Sequence, residues 1–156
     1  MSLESVRTDL AQRAPDLSII VTERSTATVE EAAATHNVEP NQIAKTLGVK
    51  VGSGPQAKTV LIVMAGTKRL DNRLTKDALG GRPRFLNGEE VLALTSHPPG
   101  GVCPFGLSEP LPVYCDESLR AFNIVIPAAG ATNASVMLTP ARLAELTSAQ
   151  WVTVTS

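Results

Sequence analysis

The chain has 156 residues, of which 43% are hydrophobic and 19% are charged, and its formal net charge is −1. This composition is typical of one globular domain and excludes an intrinsically disordered chain. A membrane span needs about 18 consecutive apolar residues, and a secretory signal needs a basic start before an apolar stretch; the sequence has neither. We therefore expect a single cytoplasmic domain over residues 1–156, with no membrane partner.

The predicted elements are short helices and strands that alternate irregularly along the chain. Apolar spacing and capping residues predict five helices, within 1–16 at the N-terminus and at 28–37, 71–80, 87–94 and 139–146. Apolar runs predict eight strands, at 17–21, 43–51, 59–65, 84–86, 112–115, 122–127, 134–138 and 151–154. Without regular βαβ repetition, these elements favour an α+β fold with a mixed, mainly antiparallel curved sheet or β-barrel flanked by short helices.

The sequence lacks the usual motifs for cofactors and metals. No GxGxxG follows the first strand, which argues against a Rossmann fold, and no GxxxxGK[ST] is present, which excludes a P-loop. The two cysteines, Cys103 and Cys115, cannot form a four-thiolate zinc site, and His36 and His97 lie in no metal-binding pattern. We expect no metal and no cofactor. His36 is interpreted as a helix-capping residue, and Cys103 as a buried apolar residue rather than a nucleophile.

Residues 97–106 form a loop rich in glycine and proline between two apolar stretches. The loop holds three of the chain's eleven glycines and three of its eleven prolines. Proline restricts the backbone, while the amides of Gly100 and Gly101 are not shielded by side chains. Such amides can bind a developing oxyanion, although a tight connection between two strands would also explain them.

Lys45 lies within the predicted strand at 43–51. Strict alternation places it on the same face as the apolar residues Ile43, Leu47 and Val49. A lysine on an interior face must be paired, extend to the surface, or serve a site. An irregularity at the strand end would turn it outward, so both readings stay open.

The segment 58–84 carries seven basic and two acidic residues, although the whole chain is close to neutral. Within it, Lys68, Arg69 and Arg73 are candidates to bind RNA through charge. A solvated helix face would explain the same residues. Aromatic residues make up only 3% of the chain, which argues against a base-stacking platform, and we expect no DNA partner.

Three segments, 28–47, 100–106 and 130–143, together resemble the YbaK/EbsC family, and the resemblance covers about residues 20–156. These proteins are free-standing relatives of the editing domain of bacterial prolyl-tRNA synthetases. The resemblance implies a mixed β-barrel flanked by helices and hydrolysis of the ester of a mischarged tRNA. It matches the family's strand lysine to Lys45, with Thr46 beside it. It matches the loop glycine to Gly101, with Gly100 before it.

The chain departs from the better-known cysteinyl-prolyl-tRNA deacylases at two places. His97 lies in a different lead-in to the glycines, and Asn133 and Ser135 stand where an acidic residue is often seen. Since these residues are expected near the aminoacyl group, they are assigned to substrate binding together with Thr46. The departures leave the identity of the amino acid open. Small residues expected in the pocket, such as Ala128, Ala129, Ala131 and Ala134, leave room for Ala, Ser, Thr or Cys.

The resemblance therefore predicts a trans-editing aminoacyl-tRNA deacylase that acts on tRNA-Pro or a related tRNA, with a synthetase as a further partner. In this hypothesis the N–H of Gly101, assisted by Gly100, binds the ester carbonyl oxygen, while Lys45 binds phosphate or ribose oxygens or orients water. Two alternatives remain at this point. One is a non-catalytic module that binds the tRNA acceptor end or a synthetase, and the other is a small-molecule hydrolase.

Overall fold

The computed structural model describes residues 2–156, which form five α-helices, eight β-strands and three short 3-10 turns. The helices are α1 (Ser2–Arg13), α2 (Val29–His36), α3 (Asn72–Leu79), α4 (Gly88–Thr95) and α5 (Pro140–Thr147). The strands are β1 (Ile19–Val21), β2 (Ile43–Val51), β3 (Lys58–Ala65), β4 (Pro83–Phe85), β5 (Val113–Asp116), β6 (Ile126–Pro127), β7 (Ala134–Val136) and β8 (Gln150–Val152). None of the described helices has the length and apolar character needed to cross a membrane.

Two sheets organise these elements. The larger has the order β4-β2-β3-β5-β8, with β6 parallel to the start of β2, and the smaller pairs β1 with β7. The longest ladder is the antiparallel pair β2–β3, which runs from Ala44 opposite Ala65 to Val51 opposite Lys58. The predicted α+β fold with a mainly antiparallel sheet is confirmed. The larger sheet stays open within the described residues, with β4 and β8 at its outer edges.

Strand β3 is buried on both faces and divides the core. Leu61 and Val63 pack in one apolar cluster with α1, whereas Ile62 and Met64 pack in a second cluster with Val49 of β2. This burial explains the nearly continuous apolar sequence of the strand, since a strand covered on both faces shows no polar alternation.

Helix α1 fastens both ends of the 97–106 loop to the core. At its start, the hydroxyl of Ser2 lies 2.5 Å from Nδ1 of His97, and in its middle the carboxylate of Asp9 accepts the N–H of Gly106 at 2.7 Å. Burial raises the pKa of Asp9, but the bonds from Arg13 and Gly106 outweigh it and hold that pKa below its usual value. The glycine-rich loop is therefore held rigidly against the rest of the fold.

Helix α2 begins and ends near the predicted residues. The hydroxyl of Thr28 accepts the N–H of Glu31 at 3.1 Å, and Asn37 ends the helix in the left-handed conformation, with φ of 56°. Strand ends were predicted less accurately: only Ile126–Pro127 of the 122–127 stretch is paired as a strand. Apolar sequence alone does not indicate which of its residues have a partner strand.

Candidate active site

A small cleft lies where α2, the start of β2, the 97–106 loop and the β6–β7 region meet. Its cavity volume is about 160 Å³, the share of about five water molecules. Its walls combine small, apolar and hydroxyl side chains with one cation: Thr26, Ala27, Thr28, Val29, Ala32, Ile43, Ala44, Lys45, Thr46, Gly100, Val102, Ile126, Ala128 and Ser135. A cleft of this size fits a small acyl group and little more.

Among residues 2–156, Lys45 is the one charged residue that lines this cleft. It is half-buried on β2, opposite Met64 of β3, and its Nζ donates a hydrogen bond to the backbone carbonyl of Lys68 at 2.5 Å. Burial lowers the pKa of Lys45, and the nearby charge of Arg69 lowers it further, against the opposing effect of Glu30. Because the described residues include no salt bridge to this amine, its charge remains available to an anionic ligand.

Thr46 presents a hydroxyl that no other described residue satisfies. The residue is 9% exposed, lines the cleft, and its Oγ1 has no hydrogen-bond partner among residues 2–156. A buried hydroxyl without a partner costs about 1–3 kcal/mol. Such a cost is relieved when a ligand supplies the missing bond, so this atom indicates a binding site.

The glycine loop forms a tight turn whose two glycines have different environments. The N–H of Gly101 donates to the carbonyl of Pro98 at 2.9 Å, and Gly100 has φ of +85°, as the third residue of a type II turn requires. Gly101 is buried against Gly130, whereas Gly100 and Val102 line the cleft. The amide of Gly101, predicted as the main oxyanion donor, is thus engaged in the turn. Gly100 and Val102 have amides that meet no acceptor among the described residues.

His97 is fully buried and does not line the cleft. Its Nε2 lies 2.6 Å from the carbonyl of Phe105, and since a carbonyl only accepts, Nε2 carries the proton and Nδ1 accepts the hydroxyl of Ser2. Both ring nitrogens of His97 are therefore hydrogen-bonded within the protein. This supports a structural role for His97 instead of the predicted contact with substrate. Burial raises the pKa of the neighbouring Cys103 to about 12, so this thiol is not a nucleophile.

The buried, neutral His97 is expected to make stability depend on pH between about 7 and 5. Burial lowers the pKa of His97, although the bond to Phe105 opposes this. Histidine in the unfolded chain has a pKa of about 6.5. As the pH falls through this value, the unfolded chain binds a proton that the folded chain does not bind. The free energy of unfolding then falls by at most about 1.4 kcal/mol per pH unit.

Urea denaturation at several pH values measures this effect. The variant His97→Asn should be less stable at pH 8 and should show a shallower decline on acidification. His36, whose pKa burial also lowers, leaves a residual slope. An unchanged slope in the variant would contradict the assignment.

Ser135 and Asn133 belong to the same segment but face different surroundings. Ser135 on β7 is 2% exposed and lines the cleft, and its Oγ lies 3.1 Å from Nε2 of His36. The side-chain amide of Asn133 instead donates to the carbonyl of Thr22 at 2.9 Å. Asn133 is not among the residues that line the cleft, so its bond fastens the chain after β1 to the chain before β7.

His36 was not among the predicted site residues, yet it contacts Ser135 of the cleft wall. The sequence did contain a signal, because Val29, Ala32 and His36 follow one another at spacings of three and four and so share one face of α2. Val29 and Ala32 line the cleft, and His36 reaches Ser135 from the same face.

Two of the three predicted RNA-binding residues, Lys68 and Arg69, lie close to Lys45 of the cleft, and Arg73 follows them in sequence. Lys68 and Arg69 follow β3, and Arg73 lies in the first turn of α3; Lys68 is half-buried, and the two arginines are exposed. The carbonyl of Lys68 accepts the amine of Lys45, so this basic surface begins where the cleft ends. The described residues include no salt bridge to any of the three.

A family model for the aminoacyl-tRNA editing domain matches residues 23–146, most of the chain. The chain belongs to the aminoacyl-tRNA editing domain family. The resemblance stated from the sequence is thereby confirmed, and the matched range contains every residue that lines the cleft. In the part of the chain that the structure describes, no three His, Cys, Asp or Glu side chains gather as a metal site would require.

Relatives of this editing domain occur alone and within a larger enzyme. The uncharacterized protein YwhH of Bacillus subtilis is 43% identical over 155 residues, covering 99% of this chain and 97% of its own length. A proline–tRNA ligase of Solidesulfovibrio magneticus is 37% identical over 112 residues, covering 70% of this chain and 18% of the ligase. A crystal structure of a proposed trans-editing enzyme for prolyl-tRNA synthetase has a TM-score of 0.88 and 35% identity, covering 99% of this chain and 97% of that protein.

Proposed function

We propose that this editing domain is an aminoacyl-tRNA deacylase that hydrolyses the ester between a small, wrongly attached amino acid and its tRNA. The observation that carries the proposal is the convergence of three features on one small cleft. These are the unshielded amide of Gly100, the partly buried amine of Lys45 and the unpartnered hydroxyl of Thr46. Together they offer binding groups for a carbonyl oxygen, an anion and a polar atom of the same ligand.

Hydrolysis of an aminoacyl ester requires little from the protein beyond positioning the ester for attack by water. An aminoacyl ester is already activated, so water attacks its carbonyl carbon once the ester is held and the developing oxyanion is stabilised. The amides of Gly100 and Val102 would bind that oxyanion, since both residues line the cleft. The bond between the carbonyl carbon and the ribose oxygen then breaks, and the ribose oxygen takes up the proton that the attacking water gives up, so that free amino acid and tRNA are released.

The amine of Lys45 would bind a phosphate or ribose oxygen of the tRNA end. Its pKa is lowered by burial and by Arg69, but the amine donates to the carbonyl of Lys68, and such a bond favours the charged form. An electrostatic role therefore fits better than a general base, which needs a pKa near the working pH.

The identity of the tRNA is inferred from relatives. A proline–tRNA ligase shares this domain, and a closely similar structure is a proposed trans-editing enzyme for prolyl-tRNA synthetase. We therefore propose tRNA-Pro as the substrate tRNA, with alanine, serine, threonine or cysteine as the misattached amino acid, because the cavity of about 160 Å³ fits a small side chain.

Release of labelled amino acid from mischarged tRNA-Pro tests the proposal. Release that depends on the folded domain and spares correctly charged Pro-tRNA-Pro is the expected result. Binding of tRNA without release would instead establish a non-catalytic module, and release from small esters without any effect of tRNA would establish a small-molecule hydrolase.

The basic surface beside the cleft is expected to bind the tRNA backbone. In the double variant Arg69→Gln with Arg73→Gln, the plot of log affinity for tRNA against log salt should lose about two units of slope, since each phosphate contact contributes about 0.9. Filter binding at several salt concentrations measures this. The matched control is Lys58→Gln with Arg82→Gln, two exposed cations at the opposite end of β3, which should leave the slope unchanged.

A further inference from the structure

The inner wall of the cleft contains a buried serine that is bonded to a histidine. Oγ of Ser135 lies 3.1 Å from Nε2 of His36, which joins the last turn of α2 to β7. Burial lowers the pKa of His36, so the ring is neutral at physiological pH. The direction of this bond depends on the tautomer of the ring, and we take the tautomer with its proton on Nδ1, in which Nε2 accepts the Ser135 hydroxyl proton. The serine oxygen then keeps its lone pairs for a ligand.

A second hydroxyl of the cleft, that of Thr46, lacks an acceptor for its proton in the described part of the chain. Thr46 is more than nine-tenths buried, lines the same cleft, and its Oγ1 has no partner among residues 2–156. Since nothing accepts its proton, it is free to donate to a ligand. The cleft wall also contains small apolar side chains, among them Ala32, Ala44 and Ala128. Its other two hydroxyls, those of Thr26 and Thr28, are hydrogen-bonded within the protein.

We propose that this cleft selects an aminoacyl group with a hydroxyl on its β-carbon, seryl or threonyl, over the alanyl group. The substrate hydroxyl donates to Oγ of Ser135 and accepts from Oγ1 of Thr46, while His36 is a positioning residue that orients the Ser135 hydroxyl. This inference rests on the proposed deacylase function, because it names the acyl group that the same cleft would hold.

The physical basis is the cost of leaving buried hydroxyls without partners. An alanyl methyl group would fill the same space but would bond neither Ser135 nor Thr46, and it would keep water from doing so. A site built to bond a substrate hydroxyl rejects the analogue without it far more strongly than a purely apolar pocket separates two side chains of different size.

The first test is a binding measurement that requires no catalysis. The probes are the seryl and alanyl amides of 3′-amino-3′-deoxyadenosine, which resemble the charged tRNA end but carry an amide that resists hydrolysis. Calorimetry with the full chain should give a Kd about ten-fold or more lower for the seryl amide. The variants Ser135→Ala and Thr46→Val should each reduce this ratio towards one. Ser108→Ala, an exposed serine outside the cleft, should leave it unchanged.

The role of His36 is tested by conservative replacement. His36→Gln keeps a polar group that can bond Ser135 and should retain most of the seryl preference, while His36→Ala should lose it even where thermal unfolding shows a folded protein. A purely structural His36 would change stability without changing the ratio of the two affinities.

The outcomes separate the two proposals. Equal affinities for the two amides in the unchanged protein, or a preference that survives both Ser135→Ala and Thr46→Val, would overturn the inference even if mischarged tRNA is hydrolysed. A seryl preference with no release of any amino acid from tRNA would support the inference about the cleft and overturn the deacylase function. If Ser135→Ala fails to fold, the nearly isosteric Thr46→Val decides the question.

Discussion

Replacing Gly100 with alanine is expected to lower the rate of ester hydrolysis by about 10²–10³-fold, the usual effect of losing one oxyanion donor. Gly100 has φ of +85°, and a Cβ there would lie 2.7 Å from Cβ of Ala27. The turn must therefore shift, and with it the backbone of Gly100 and Val102, which line the cleft. Single-turnover release of amino acid from mischarged tRNA measures the rate, and filter binding should show that affinity for tRNA changes little.

The chain offers a matched control for the strain of this substitution. Gly80, the residue after α3, also has φ of +85°, but a Cβ there meets nothing within 4 Å, and the residue lies outside the cleft. Gly80→Ala should cost about 1 kcal/mol of stability and leave turnover unchanged. If both variants lose turnover equally, or Gly100→Ala retains it, the oxyanion role of this loop is refuted.

Replacing Lys45 with methionine is expected to lower kcat/KM for mischarged tRNA by about 10–150-fold. Methionine keeps most of the apolar stem but removes the charge, and a hydrogen bond to a charged group contributes about 1.5–3 kcal/mol. The loss should be partial rather than complete, because the amides of the loop remain. Steady-state kinetics with mischarged tRNA-Pro provide the measurement.

Lys50 on the same strand is the control for this substitution. It is also half-buried, but it lies near the end of β2, opposite Arg84 of β4, and does not line the cleft. Lys50→Met should leave kcat/KM within about two-fold of the unchanged protein, as is usual for surface substitutions. Equal losses in the two variants would mean that general charge, and not the position of Lys45, matters.

Local sequence was sufficient to predict much of this molecule. Capping by Thr28 predicted where α2 begins, and the apolar run at 59–65 predicted a strand buried on both faces. Alternation along β2 allowed Lys45 to lie on the interior face or to turn outward, and the structure shows it half-buried. These features depend on neighbours within a few residues, so the chain encodes them directly.

The division of roles inside the site required the tertiary structure. Gly100 and Gly101 are adjacent in sequence, yet the hydrogen bond to Pro98 engages one amide, while the other glycine lines the cleft. Likewise, no residue near His97 in sequence indicates that Ser2, 95 residues away, forms a hydrogen bond with one of its ring nitrogens.

The sequence by itself determined the class of fold, the family, and the segments that supply the cleft, because caps, apolar periodicity and short motifs are local properties. Only the tertiary structure decided which groups face the cleft. It placed His36 against Ser135 across 99 residues of sequence and left the hydroxyl of Thr46 without a hydrogen-bond partner among residues 2–156. Such pairings arise from packing between distant elements, and packing is a property of the folded chain rather than of any one stretch of it.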